Sequence, residues 1–258
     1  MNKQKQAAVT ADLADMLIGY AQRYENEAFL TGDPSWFMHQ VTGDANRETM
    51  AFLASCLSYG SRSQFMPKIQ QLLDSASGEP YEWVRSGSFR QLFAADDHRC
   101  FYRLYTCATM HSFLTAYEQM LAEHGTLGDY VRRNADDGLG AVQAICQYFG
   151  SHGISTVVPK DAQSACKRVC MFLRWMVRTN SPVDLGLWSD FIDRRTLIMP
   201  LDTHVVSQSV RLGLLNSRCA SMHAAIRLTQ SLAAIFPDDP LRGDFALFGY
   251  GVNEGREV

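Results

Sequence analysis

Residues 198–215 read IMPLDTHVVSQSVRLGLL. Pro200 ends an extended approach, because its ring fixes φ and removes a backbone donor. Asp202 then stands where a helix N-cap belongs, and the spacing predicts a helix from Thr203 to Leu212 stopped by Gly213. A capping carboxylate accepts helix N–H groups and feels the positive end of the helix dipole. It is therefore a negative charge facing whatever the helix points at. Most capping aspartates do no chemistry, and on spacing alone Asp202 reads as a cap.

The same helical reading extends outward over nearly the whole chain. Apolar residues recur at steps of three and four rather than alternating. Helices are predicted over about 48–58 (Met50, Leu53, Ala54, Leu57), 64–73 (Phe65, Ile69, Leu72), 109–123 (Met110, Phe113, Tyr117, Leu121) and 139–149 (Leu139, Val142, Ile145, Phe149). Further helices are predicted over 162–178, 221–235 and 241–249. Pro67 is placed in the first turn of its helix, where proline is tolerated. No Asn-Gly or Asp-Gly pair joins apolar runs, so no hairpin is expected. The expected architecture is all-α, compact and bilobal, with an active-site cleft between the lobes. Residues 1–43 are expected to form a peripheral helical segment and 44–258 the lobes.

The 258 residues are 47% hydrophobic and 20% charged, which excludes a disordered or collagenous chain. That length builds a core without disulfides or a structural metal. Seven cysteines are scattered, with no CxxC pair, and fit free thiols in a reducing cytoplasm. No apolar stretch reaches the length of a membrane span, and the first residues carry no signal-peptide core. The net charge of -3 is unevenly spread. Residues 158–218 hold nine Lys/Arg against five Asp/Glu, between acidic flanks. Such a segment suits a phosphate-facing side as well as it suits an ordinary solvated surface.

Residues 161–178, DAQSACKRVCMFLRWMVR, supply much of that basic charge. Ala165, Val169, Phe172, Leu173 and Met176 form an apolar face. Lys167, Met171, Arg174 and Arg178 recur at four, three and four, so three cations line one side. Read alone, they make a solvated basic stripe.

PLDTHVVSQSVRLGLL resembles the catalytic-aspartate segment of the helix-hairpin-helix DNA glycosylase superfamily, which includes endonuclease-III-like and 8-oxoguanine glycosylases. Asp, Thr, His, Val and the later Arg-Leu-Gly fall in register. More widely, SWFMHQ, FLASCLSYGSRSQFMPKI, FYRLYT, SACKRVCMFLRWMVR, IMPLDTHV and DFALFGYG look like a bacterial family described only as a domain of unknown function and regarded as glycosylase-like. The resemblance implies Asp202 as the catalytic aspartate. It also implies Lys167 as the lysine that attacks C1′ of a damaged nucleotide. Arg168, Arg174, Arg178 and His204 are then expected to contact DNA. Arg62 and Gln64, in LSYGSRSQF, fall where relatives place the side chain that fills the gap left by a flipped base.

The chemistry needs such a pair. Breaking an N-glycosidic bond develops positive charge on the sugar, which an ionised carboxylate stabilises. A lysine must be neutral to attack, and a Schiff base then permits strand cleavage by β-elimination. The target base must first leave the duplex.

The chain departs from the superfamily pattern in three places. The hairpin region reads VVPKDAQSACK, with no glycine between Gly153 and Lys167, whereas close phosphate approach favours bare backbone. Lys167 and Asp202 are 35 positions apart, a long spacing. No cysteine follows Cys219, so no iron–sulfur cluster is expected. Trp175, Trp188, Phe245 and Phe248 could stack on a base or simply fill the core. No phosphate loop, HExxH or GxSxG motif is present. The expectation is a monomeric cytoplasmic glycosylase/lyase for an oxidised base such as 8-oxoguanine, acting on duplex DNA without metal or cofactor. The competing expectation is a non-catalytic DNA- or lesion-binding protein on the same fold.

Overall fold

A computed structural model of the protein describes residues 9–254. It is mostly helical, and the chain divides into two compact units. The first holds Met1–Phe29, Asp137–Leu139 and Ala162–Val258, and the second Leu30–Asp136 and Gly140–Asp161.

The first unit opens with α1 (Ala11–Tyr24), whose N-cap Thr10 accepts the Leu13 N–H. Leu17 and Ala21, one turn apart, are fully buried. In the second unit, α2 (Asp44–Leu57) is buried on every side from Glu48 to Leu57. Around it lie α3 (Arg62–Ser75), α4 (Pro80–Arg85), α5 (Cys107–His124), α6 (Leu127–Asn134) and α7 (Gly138–Ser151). Their core is aromatic: the rings of Phe52, Phe113, Tyr117 and Phe149 meet at centroid distances of 5.1–6.5 Å. The buried Glu48 carboxylate accepts the Leu127 and Gly128 N–H groups at 2.8 and 3.1 Å. It thereby satisfies the open donors that begin α6.

Residues Asp137–Leu139 of α7 group with the first unit. A Cβ on Gly138 would lie 2.5 Å from the Thr196 carbonyl oxygen, so only glycine permits this approach. The first unit continues with α8 (Lys167–Val177), α9 (Thr203–Arg211), α10 (Met222–Ala233) and α11 (Arg242–Asn253). Helix α11 packs on α1 through Tyr20–Tyr250 and Tyr24–Phe248 edge contacts. A Cβ on Gly249 would stand 2.5 Å from the Tyr24 ring, so its absence sets the spacing of that helix pair.

The helical reading of the sequence stands, with local corrections. Pro67 sits in the interior of α3, because that helix begins at Arg62, two residues earlier than expected. Residues 162–166 are not helical, and α8 starts at Lys167. A short antiparallel hairpin, β1 (Cys100–Tyr102) with β2 (Tyr105–Thr106), was not expected. It turns through Arg103 at φ 50°, without the glycine that usually marks such turns. Within the peripheral helical segment expected over 1–43, α1 belongs to the first unit, where Leu17 and Ala21 are buried, and residues from Leu30 onward group with the second. Residues 1–8 lie outside the described residues.

The core of the first unit contains ions. Arg174 of α8 and Arg178, the residue that caps its C-terminus, are 3% and 1% exposed. Arg174 Nε donates to Asp184 at 3.2 Å, and its Nη1 donates to Asp244. Arg178 donates to Asp239 at 2.8–3.1 Å, to Glu25 at 2.6 Å and to Asp184. Arg242 donates to the other Glu25 oxygen at 3.0 Å. One helix is thus tied to the end of α1, to the loop after α8 and to the start of α11. Removing one partner of a buried pair leaves uncompensated charge, at a cost of about 3–5 kcal/mol. Arg178→Ala is expected to lose stability on that scale in urea unfolding, and a loss below about 1 kcal/mol would contradict this role.

Burial pushes the Glu25 carboxyl up, but Arg178 and Arg242 more than reverse this and hold it below its ordinary value. A lowered carboxyl contributes stability above its unfolded value and loses it as pH falls through the folded one. Urea stability is therefore expected to fall as pH drops below the ordinary glutamate range, and the Glu25→Gln protein is expected to show a smaller fall. Equal falls in the two proteins would contradict this account.

Candidate functional site

The candidate site lies in the first unit, where three helices begin. Lys167 is the first residue of α8 and is half-buried. The strand-like approach to it is fixed by an antiparallel bridge between Ser164 and Ser221, and the Met222 N–H donates to the Gln163 carbonyl at 3.4 Å. Cys166, immediately before Lys167, has φ 44° and offers the helix no side-chain cap. An L residue held in that left-handed region costs on the order of 1–3 kcal/mol. The turn into α8 is therefore imposed by its surroundings, not by a flexible glycine.

Asp202 caps α9, as its position after Pro200 predicts. Its Oδ1 accepts the Val205 N–H at 2.8 Å, and the residue is half-buried. The carboxylate stays at the surface because the buried run Leu197–Leu201 anchors the chain just before it.

Helices α9 and α11 run in the same direction. Gln208 lies against Gly251, where an added Cβ would stand 3.4 Å from its Nε2. Three residues on, Arg211 reaches the Glu254 carbonyl at 2.8 Å and stacks on Tyr250 at 5.6 Å. Gln208 is six residues beyond Asp202, and Gly251 is seven beyond Asp244. The two N-terminal ends, with Asp202 and Asp244, thus lie at the same end of the pair.

Asp244 joins this end to α8. Its carboxylate is bonded by Arg174, seven residues after Lys167 and hence on the same helical face. Helical side chains lean toward the N-terminus, so the Arg174 guanidinium points back toward the turn that carries Lys167. Burial pushes the Asp244 carboxyl up; Arg174 pulls it down, Asp202 pushes it up and Lys167 pulls it down, with a net rise. Asp202 and Lys167 both lie within electrostatic reach of this one group.

The other sequence-predicted residues fall elsewhere. Arg174 and Arg178 are corrections: both are buried and bound to carboxylates, so neither guanidinium is presented at the surface. They form no solvated stripe because every residue from Val169 to Val177 is buried. Arg168 remains half-buried beside Lys167, and His204 is exposed on the first turn of α9. Arg62 and Gln64 are exposed in the first turn of α3, in the second unit. Arg62 donates to the Gly32 carbonyl and to Asp33, each at 3.4 Å. Trp175, Trp188 and Phe245 belong to the core, whereas Phe248 is 36% exposed.

Sequence reasoning missed Asp244, Asp184, Asp239 and Glu25. The signal was present in MFLRWMVR, where two arginines sit among large apolar residues and so require buried counter-charges. The acidic run PDDPLRGDF could have supplied two of them.

Among the described residues, no group of three or more His, Cys, Asp or Glu could hold a metal ion. All seven cysteines are free. No helix is long and apolar enough to cross a membrane.

No curated protein matches the chain, and no solved structure matches it. The family described as Protein of unknown function (DUF2400) matches residues 33–253, a span that contains Lys167, Asp202 and Asp244. With most of its length matched, the chain belongs to this family.

Proposed function

We propose that the protein is a DNA glycosylase/AP lyase of the helix-hairpin-helix type, acting on an oxidised base with 8-oxoguanine as the first candidate. The observation that carries this reading is the shared electrostatic environment of Lys167 and Asp202. Both are half-buried at helix N-terminal ends in one compact unit, and both charges act on Asp244. The motif resemblance around the two residues gives each its role.

In this reading the damaged nucleotide leaves the duplex and presents C1′ to Lys167. The N-glycosidic bond breaks, and the base departs with the electron pair and takes up a proton. Asp202 stabilises the positive charge that develops on the sugar. The Lys167 amine, having given up its ammonium proton, bonds to C1′ and yields a Schiff base after ring opening. Loss of the C2′ proton then expels the 3′ phosphate by β-elimination. Arg168 and His204 are the side chains beside this centre suited to meet backbone phosphate.

A second reading, a lesion-binding protein without catalysis, draws on the approach to α8. That segment has no glycine between Gly153 and Lys167, and a side-chain-bearing residue occupies its left-handed position. A hairpin that clamps phosphate on bare backbone N–H groups is not built there.

Borohydride reduction on duplex oligonucleotides separates the two. The panel carries 8-oxoguanine, oxidised pyrimidines, uracil and an abasic site. The glycosylase reading expects a covalent adduct on one damaged base, absent in Lys167→Ala. Asp202→Asn is expected to slow base release by about 100- to 1000-fold, the scale of losing one electrostatic stabiliser. Folded protein that binds these duplexes yet releases no base and forms no adduct would leave the lesion-binding reading.

A further inference from the structure

At the end of α8 away from Lys167, the first unit holds a cavity of about 390 Å³. The eleven residues of α8 separate the two, a rise of about 16 Å. The cavity is walled by the C-terminal half of α1, the exit from α8, Arg194, and the turn from Ile235 to Arg242 that leads into α11. Its volume falls in the range of small-molecule sites, about 300–1,000 Å³.

The floor of the cavity is already neutralised. Arg178 commits its Nε and Nη2 to Asp239 and Glu25, and its Nη1 to Asp184. Both oxygens of Glu25 and both of Asp239 accept guanidinium N–H groups. The side walls differ. Arg242 donates through Nε to Glu25 at 3.0 Å, and its guanidinium lies over the Phe236 ring at 5.5 Å. Arg194 donates through Nε to the Asp238 carbonyl at 2.8 Å and through Nη1 to Thr179 Oγ1 at 3.4 Å. Among the described residues, no partner takes the Nη groups of Arg242 or the Nη2 of Arg194. Each guanidinium is thus pinned by one edge and keeps N–H donors for the cavity that both residues line.

Such forks take carboxylate or phosphate oxygens. Charge chooses between the two. Three arginines line the cavity against Glu25, Asp238 and Asp239, so the wall carries no net charge. The two open forks match a single negative charge, whereas a phosphate group brings nearly two and meets Asp238 on the wall. Ile18, Ile235, Phe236 and Pro237 supply the apolar part. We propose that this cavity binds a small carboxylic acid: Arg194 and Arg242 grip the carboxylate, and the hydrocarbon body lies against Ile18, Ile235 and Phe236. The site is separate from Lys167 and Asp202 and stands whether or not the protein acts on DNA.

The test uses 3-phenylpropionate, with 3-phenylpropan-1-ol and inorganic phosphate beside it at the same ionic strength. The whole protein is labelled with phenylglyoxal, which modifies accessible guanidinium groups, and rates at Arg194 and Arg242 are read by peptide mass spectrometry. Arg62 and Arg218, both exposed, are controls outside the cavity. At about ten times its dissociation constant, 3-phenylpropionate is expected to slow labelling about tenfold at both cavity arginines, by mass action, and at neither control. The alcohol is expected to give no protection.

Arg194 bonds a carbonyl and a hydroxyl, so Arg194→Met leaves the buried ion network intact. In that variant the concentration that protects Arg242 is expected to rise about tenfold, the scale of one charge-assisted hydrogen bond. Arg242→Lys keeps a charge facing Glu25 but loses the fork, and is expected to weaken protection of Arg194. Equal protection by phosphate or by the alcohol overturns the carboxylate assignment. Labelling that 3-phenylpropionate does not slow, or arginines that fail to react in the free protein, overturns the site, and this wild-type comparison needs neither variant. Unchanged protection of Arg242 in folded Arg194→Met overturns the pairing of the two arginines.

Discussion

Two buried arginines, one within α8 and one at its C-cap, organise the first unit. Arg174 and Arg178 bring two full charges into a helix whose other residues from Val169 onward are apolar and enclosed. A lone guanidinium in such a place is untenable, so each must find carboxylates of good geometry. Those carboxylates come from Glu25 after α1, Asp184 in the following loop, and Asp239 and Asp244 around the start of α11. The chain between these points is long and irregular, but its ends have little choice of position. Such a network is poor at adding stability compared with an apolar core. What it does well is choose one arrangement, because any other leaves a charge unpaired.

That choice carries through to the chemistry. Locking Arg174 locks Asp244, and with it the first turn of α11. Since α11 and α9 run side by side in one direction, the Asp202 cap is brought to the same end. Lys167 follows from its place two turns before Arg174 on one face of α8. Lys167 and Asp202 therefore owe their placement to an ionic network buried in the core of the unit. The same locking withdraws two of the cations that an electrostatic reading of residues 158–218 would have assigned to DNA. Arg168, half-buried, and His204, exposed, lie outside the buried ionic network.

Much of the helical framework was legible from spacing. The steps of three and four in Met110–Leu121 mark a helix with one buried side, and those in Met50–Leu57 mark a helix that the fold encloses all round. The N-cap at Asp202 was equally legible, because an extended proline before it and a glycine after Leu212 bracket the helix. Other features were hidden for identifiable reasons. The β1–β2 hairpin uses Arg103 in a left-handed turn, so it lacks the glycine or asparagine that announces such turns. The start of α8 was misplaced because Ala162–Cys166 are acceptable helix formers whose bridge to Ser221 pulls them into an extended path. Arg174 and Arg178 were misread because periodicity records where a side chain points, not what waits there. Their counter-ions lie 6–153 residues away in sequence, and only the fold brings them together. Asp244 was invisible for the same reason.

The central claim is that Lys167 is the group at this centre that reacts with a sugar carbon. Peptide mapping of the protein after borohydride reduction on abasic DNA tests it most directly, because it locates the bond itself. The account predicts the nucleotide remnant on the peptide containing Lys167, at its Nζ. A remnant on another lysine, or on the N-terminal amine, would contradict it.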